Sequence, residues 1–106
     1  MTERPEVVCL CGSLRFAVEM IAASDQLALE GSIVLSPAFL TAAANGDRPV
    51  LSAEEREDLG ELHLRRIDLA DRVLVVNPGG YLGESTQREI AHARAAGKAV
   101  SFTDPV

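Results

Sequence analysis

The sequence lacks an excess of positive charge. Its 106 residues carry 10 Lys and Arg against 16 Asp and Glu, which gives a formal net charge of −6. Proteins that bind duplex DNA or an anionic membrane surface present a basic face, so this balance argues against both kinds of partner. It does not argue against a small phosphorylated ligand, because one Arg and a few backbone N–H groups are enough to hold a phosphate.

Cysteine is also scarce, and long apolar runs are missing. The two cysteines, Cys9 and Cys11, are too close in sequence to close a useful disulfide loop. Two thiols also fall short of a zinc ligand set. We therefore expect two reduced thiols beside a strand, no metal and no cofactor.

Met1–Pro5 show no signal-peptide pattern and no apolar run reaches membrane-spanning length, so we expect a cytoplasmic location.

Strand and helix patterns alternate along the chain. Short apolar runs bounded by turn residues predict four strands: Glu6–Cys11, Ser32–Leu35, Arg72–Asn77 and Lys98–Phe102. Longer segments with helical spacing predict three helices: 14–30 after the cap Ser13, 53–70 after the capping box that starts at Ser52, and a last one that begins at Glu84 or Ser85 and stops at Gly97.

This alternation predicts an α/β fold, with one domain over residues 1–106. Strand–helix–strand units give a parallel sheet, here of about four strands, with right-handed crossovers and helices on both faces. Ligands of such sheets bind beyond the carboxyl ends of the strands, at the topological switch point. The first and third strands end at Gly12–Arg15 and Pro78–Gly83, so we expect these two turns to be neighbours at a ligand site.

The first of these turns has the features of an anion site. Free N–H groups and the positive end of the helix dipole favour an anion where a strand enters a helix. Gly12 lets a ligand approach the backbone, Ser13 offers a hydroxyl, and Arg15 can clamp a phosphate. The alternative is a capped turn with a solvated Arg.

The second turn is rich in glycine. Glycines before a helix are unfavourable unless the turn needs positive φ or a ligand comes close to the backbone, so Gly80 and Gly83 are candidate binding residues. Tyr81 is the only Tyr in the chain, and it either packs as a lid or stacks on a base.

The helix after this turn carries a candidate catalytic carboxylate. Glu89 is either the partner of Thr86 in a capping box, or, where Glu84 or Ser85 caps the helix instead, a carboxylate that faces the strand ends. His63, on the preceding helix, either faces the same strand ends or lies at the surface.

Four segments together resemble a known family: Cys11–Phe16, Leu29–Ser36, Leu62–Asp71 and Gly79–Ile90. They are similar to the nucleoside 2-deoxyribosyltransferase-like superfamily, and within it to small bacterial proteins related to the 2′-deoxynucleoside 5′-phosphate N-hydrolases. The resemblance covers nearly the whole chain.

The resemblance implies a flavodoxin-like, Rossmann-related three-layer sandwich. It also implies cleavage or exchange of the N-glycosidic bond of a nucleoside or nucleotide, with Glu89 attacking the anomeric carbon as in a retaining glycosidase. Gly12–Arg15 would then lie at the nucleotide site, and Ser85 and Thr86 would bind a 5′-phosphate. Members of the superfamily are commonly homodimers, so we expect a homodimer here.

The chain departs from the related hydrolases at one position. They carry an Asp where this chain has His63, so His63 would act as the general acid, or Asp68 would stand in for the missing carboxylate. Two other functions stay open beside catalysis: a module that binds a nucleotide without turnover, and an adapter that acts through its dimer surface.

Overall fold

Four parallel strands form one sheet in a computed structural model that describes residues 4–106. They are Val7–Cys11 (β1), Ile33–Leu35 (β2), Arg72–Val75 (β3) and Ala99–Phe102 (β4). The order across the sheet is β2-β1-β3-β4, and every neighbouring pair is parallel. The predicted α/β class and strand number are confirmed. The first three residues of the Met1–Pro5 segment considered above lie outside the described range.

Helices cover both faces of the sheet, and β1 shows why. Its side chains alternate: Cys9 and Cys11 pack with one hydrophobic cluster, and Val8 and Leu10 pack with the other. The first cluster takes the apolar faces of Ala53–Leu69 (α3) and Glu84–Ala95 (α4), and the second that of Ala17–Leu29 (α1). A short helix, Leu40–Ala44 (α2), contacts α1. The result is three layers.

The capping box predicted at Ser52 is confirmed. Ser52 Oγ accepts from Glu55 N at 3.0 Å, and Glu55 Oε1 accepts from Ser52 N at 2.9 Å. The box satisfies two backbone N–H groups that a helix start leaves free. It fixes where α3 begins, and the buried Leu64 and Ile67 determine which face α3 turns to the sheet.

The start of the first long helix differs from the prediction, and the last helix begins at Glu84 as predicted but with a different cap. Ser13 caps a 3-10 turn, Leu14–Phe16, and the long helix begins only at Ala17. The N-cap of α4 is Gly83, which makes no side-chain cap bond, so none of the three proposed caps, Glu84, Ser85 and Thr86, is the N-cap of this helix. Because Glu89 is not held as a capping partner, its carboxylate is free for another role.

The carboxyl ends of β1 and β3 lie side by side, as expected for the switch point. Val76 N donates to Cys11 O at 2.9 Å. A Cβ on Gly12 would stand 2.7 Å from Val76 O, and Gly12 has a φ of +154°. Gly12 therefore serves the close approach of the two strand ends, in addition to any approach of a ligand.

In residues 4–106, no helix combines the length and apolar character needed to cross a membrane.

A buried asparagine ties the C-terminal segment to the second turn. Asn77 is fully buried; its Nδ2 donates to Asp104 O at 3.0 Å, and its Oδ1 accepts from Asp104 N at 3.0 Å and from Thr103 Oγ1 at 3.2 Å. Asp104 Oδ2 in turn accepts from Gly79 N at 2.7 Å. These bonds hold the Pro78–Gly80 3-10 turn in place beside the switch point.

We predict that Asn77→Ala lowers the free energy of unfolding by about 2–4 kcal/mol, because several buried polar groups lose a partner together. Urea unfolding measures the change. Asn45→Ala, at an exposed Asn after α2, is the matched control and should stay within about 0.5 kcal/mol of the wild type. Equal losses in the two variants would contradict the role given to Asn77.

Candidate functional site

A cavity of about 690 Å³ lies where β1 and β3 end. Its wall combines the start of the first turn, two stretches of the loop between β2 and α3, one face of α3, and the start of α4. This is the location expected for the ligand of a parallel sheet. A second cleft, of about 300 Å³, lies between α4 and the C-terminal end, and its only charged lining residue is Arg94.

One face of α3 supplies the floor and one side of the cavity. Arg56, Gly60, His63 and Arg66 all line it. They follow one another at spacings of four, three and three residues along the helix, so they share one face. The sequence interpretation found only His63 among them. The helical spacing was the available signal, and it would also have identified the two arginines and the glycine.

His63 is buried and faces the strand ends rather than solvent. Its Nε2 lies 3.0 Å from Leu10 O, and its Nδ1 lies 3.3 Å from Arg66 Nη1. A guanidinium only donates, so Nδ1 accepts and Nε2 carries the proton that is donated to Leu10 O. These contacts describe a neutral imidazole fastened to the end of β1.

Two thiols lie beside this imidazole. Cys9 Sγ is 3.7 Å and Cys11 Sγ is 3.6 Å from His63 Nε2, and both cysteines are reduced and buried. Hydrogen bonding from Cys11 and from His63, opposed by burial, lowers the pKa of Cys9 to about 6. The pKa of Cys11 is raised, by its hydrogen bond to Cys9 and by burial.

These three side chains are the donor types of a zinc site, with their ligand atoms within 4.8 Å of one another. The tertiary fold thus adds His63 to a pair that the sequence left short of a ligand set. Both imidazole nitrogens are already engaged, however, with Leu10 O and Arg66. A metal ion would have to displace one of these contacts, so the geometry supports a hydrogen-bonded cluster.

Glu89 reaches the same cavity from the second turn of α4. It is 9% exposed. Burial raises the pKa of its carboxyl, while the charge of His63 and hydrogen bonding with Cys11 oppose the shift. A buried carboxylate beside a buried imidazole at a cavity wall is the arrangement in which perturbed pKa values accompany chemistry.

The pKa of His63 reflects opposing contributions. Burial alone would lower it, but hydrogen bonding with Cys9 and the charges of Cys9 and Glu89 raise it above its ordinary value, against the repulsion of Arg66. A second proton must enter at Nδ1, which now accepts from Arg66. Protonation of His63 therefore requires Arg66 to move away from the ring.

Most of the predicted binding residues lie around the cavity. The lining includes these six: Gly12, Ser13, Tyr81, Gly83, Ser85 and Thr86. Arg15 and Gly80 are not part of it. Arg15 stacks over the ring of Tyr81, 4.2 Å from the ring centroid. Gly80 lies against the C-terminal segment, where a Cβ would stand 3.0 Å from Pro105 O.

Tyr81 forms part of an aromatic edge of the site. Its ring meets that of Phe16 edge to face, with centroids 5.8 Å apart and planes at 72°. With Arg15 on one face and Phe16 at its edge, Tyr81 is held in position and is still 41% exposed. This fits a residue at the rim that presents an aromatic surface to a ligand.

Asp68 does not join the other predicted catalytic residues. Its carboxylate accepts from His92 Nε2 at 2.7 Å and pairs with Arg65 Nη1 at 3.1 Å, on the exposed side of α3. Of the three predicted catalytic residues, His63 and Glu89 line the cavity and Asp68 does not.

A scan of protein-family models found no match to this chain, and a search of curated proteins found none either. The family resemblance stays an expectation.

The buried carboxyl predicts a pH-dependent stability difference. A carboxyl whose pKa is raised by folding binds more protons when folded, so stability falls as pH rises from the ordinary value of 4.5 through the raised one. We predict that Glu89→Gln unfolds at higher urea concentration than the wild type at about pH 7, and that this advantage disappears at about pH 4.

The matched control is Glu84→Gln, at an exposed position in the first turn of the same helix. Because Glu84 is exposed, its replacement relieves no burial and should not raise the urea concentration of unfolding at about pH 7. A Glu89→Gln variant that is destabilised equally at both pH values would show that folding does not raise the pKa of the Glu89 carboxyl.

Proposed function

We propose that this protein breaks the N-glycosidic bond of a nucleotide, with Glu89 as the nucleophile and His63 as the general acid. The observation that carries the proposal is the meeting of these two buried side chains in one arginine-lined cavity at the switch point of the sheet. Water is the expected acceptor of the sugar, so hydrolysis is favoured over transfer to a second base.

The chemistry has two steps. A Glu89 carboxylate oxygen forms a bond to the anomeric carbon while the bond from that carbon to the base nitrogen breaks, and the bonding electrons leave with the base. His63 supplies the proton that the departing base takes up. Water then attacks the anomeric carbon of the glycosyl-enzyme and releases Glu89, with the imidazole accepting a proton from that water.

The charge of the lining supports a phosphorylated substrate. Four arginines, at positions 48, 56, 66 and 88, line the cavity together with Glu84 and Glu89. The N-terminus of α4, where Gly83 provides no side-chain cap, adds free N–H groups near Ser85 and Thr86. Because Arg15 stacks on Tyr81, we assign the phosphate to the arginines of the cavity and not to Arg15.

A phosphate that draws Arg66 to itself would also prepare the acid. Arg66 now donates to Nδ1 of His63 and keeps that nitrogen unprotonated. When its guanidinium turns to a phosphate, Nδ1 becomes free to take a proton. Binding of the nucleotide and protonation of His63 are then linked.

A second candidate is a module that binds a nucleotide without turnover. The observation in its favour is that both nitrogens of His63 have partners, which leaves no acid ready in the unliganded site.

The proposed homodimer, and an adapter role that depends on it, would use the exposed apolar side chains of α1, Val18 and Leu29, and Ile33 on the edge strand β2.

We predict that Glu89→Gln abolishes base release from nucleoside 5′-monophosphates while nucleotide affinity stays within about tenfold, because the amide keeps the shape but is not a nucleophile. Chromatography of free base and calorimetry measure the two quantities. Glu57→Gln, an exposed substitution on α3 outside the cavity lining, should keep full turnover. Base release that survives Glu89→Gln would remove Glu89 from the mechanism.

We predict that the rate of base release falls as pH rises through the pKa of His63, which lies above 6.5, because only the protonated ring is an acid. Besides burial, Cys9 from β1, Glu89 from α4 and Arg66 from α3 set that pKa. Cys11 from β1 also lies against the ring. His63→Ala should lose about two to four orders of magnitude in rate and the alkaline limb with it.

The matched control for this experiment is the other histidine of the chain. His92→Ala removes a partly exposed ring that bonds Asp68 away from the cavity, so its pH profile should equal that of the wild type. An alkaline limb that persists unchanged in His63→Ala would show that another group supplies the proton.

A further inference from the structure

Gly60 is a glycine in the interior of a long helix, where Gly is less favourable than Ala by about 0.5–1 kcal/mol. Its surroundings explain its presence. A Cβ at this position would stand 2.6 Å from Arg88 Nη2 and 3.8 Å from Arg88 Cζ. The missing side chain leaves room for the Arg88 guanidinium to lie against α3, inside the cavity.

A second guanidinium is held one helical turn away. Arg66 Nη1 donates to His63 Nδ1, and His63 follows Gly60 by three residues. Along an α-helix this separation is about 4.5 Å. The two residues that hold the guanidinium groups of Arg88 and Arg66 therefore stand one turn apart on the same face of α3. Two guanidinium groups at neighbouring turns of one helix face offer two separate donor forks, one for each of two linked phosphate groups.

The positive charge of the cavity is not neutralised by ion pairs. Within residues 4–106, the salt-bridged arginines are Arg4, Arg65 and Arg72, and all of them lie outside the cavity. Around the cavity, four guanidinium groups stand against the two carboxylates of Glu84 and Glu89. In a chain with a net charge of −6, this local excess of positive charge attracts an anion of several charges.

We propose that the substrate carries a diphosphate or a longer phosphate chain, with one phosphate on Arg66 and the next on Arg88, seated by Gly60. This inference rests on the proposed function only for the placement of the sugar beside Glu89. Arg56 lies one turn before Gly60 on the same face, and Arg48 belongs to the loop between β2 and α3. These two arginines extend the basic wall toward the solvent side, where the far end of the phosphate chain would lie.

The test measures the binding of inorganic phosphate and inorganic pyrophosphate to the whole chain by calorimetry at matched ionic strength. Wild type should bind pyrophosphate at least about tenfold more tightly than phosphate, as one additional charged hydrogen bond provides. Gly60→Ala pushes Arg88 aside and should lose that preference, while its fold is as stable as the wild type or more so. Arg88→Gln should have the same effect.

The matched control is Arg94→Gln, an exposed position on α4 outside this cavity; it should keep the full preference for pyrophosphate. Equal binding of phosphate and pyrophosphate by the wild type, or an undiminished preference in Gly60→Ala, would overturn the inference.

A parallel assay separates this inference from the proposed function. Nucleoside monophosphates and diphosphates are incubated with the protein, and free base is measured. A pyrophosphate preference that depends on Gly60 and Arg88, without release of base from any nucleotide, would uphold the diphosphate subsite and reject the glycosidic reaction. Release of base from monophosphates that pyrophosphate does not inhibit would uphold the reaction and reject the subsite.

Discussion

The contact between His63 Nε2 and Leu10 O, 3.0 Å long, is the interaction on which the rest of the site depends. It fastens α3 to the carboxyl end of β1, and it gives a buried backbone carbonyl a hydrogen-bond donor. The small side chains of Cys9 and Cys11 leave room for the ring on that face of the strand. With His63 turned inward, the helical repeat turns the residues three and four positions away into the same cavity.

The buried ionisable groups of this site lower the stability of the fold. Glu89 is buried although burial disfavours its charge, and His63 is buried among groups that shift its pKa in both directions. Sites of this kind reduce the stability of a fold, and the reduction has to be offset elsewhere. Here the offsetting interactions are local and well formed: the capping box at the start of α3 and the hydrogen bonds of Asn77 to the C-terminal segment.

Much of the fold follows from sequence pattern, because strands, caps and glycine stops are local signals. The capping box at Ser52 and the alternation of elements were enough to predict a parallel sheet and the meeting of its two turns. The helical repeat also held information about the site: Asp68 follows His63 by five residues, about 140° around the helix, so both cannot face the cavity. The stacking of Arg15 on Tyr81 joins residues far apart in the chain, and no local pattern predicts it.

The central claim is that Glu89 forms a covalent bond to the sugar, and the most direct measurement is the mass of the protein during the reaction. Nucleotides with fluorine at C2′ of the sugar are suited to it, because the electron-withdrawing fluorine slows hydrolysis of a glycosyl-enzyme. We predict an intact mass increased by the fluorinated sugar together with the phosphate groups of the nucleotide used, release of the base, and an adduct that maps to Glu89 after proteolysis. Release of base without an adduct, or an adduct on a different residue, would contradict it.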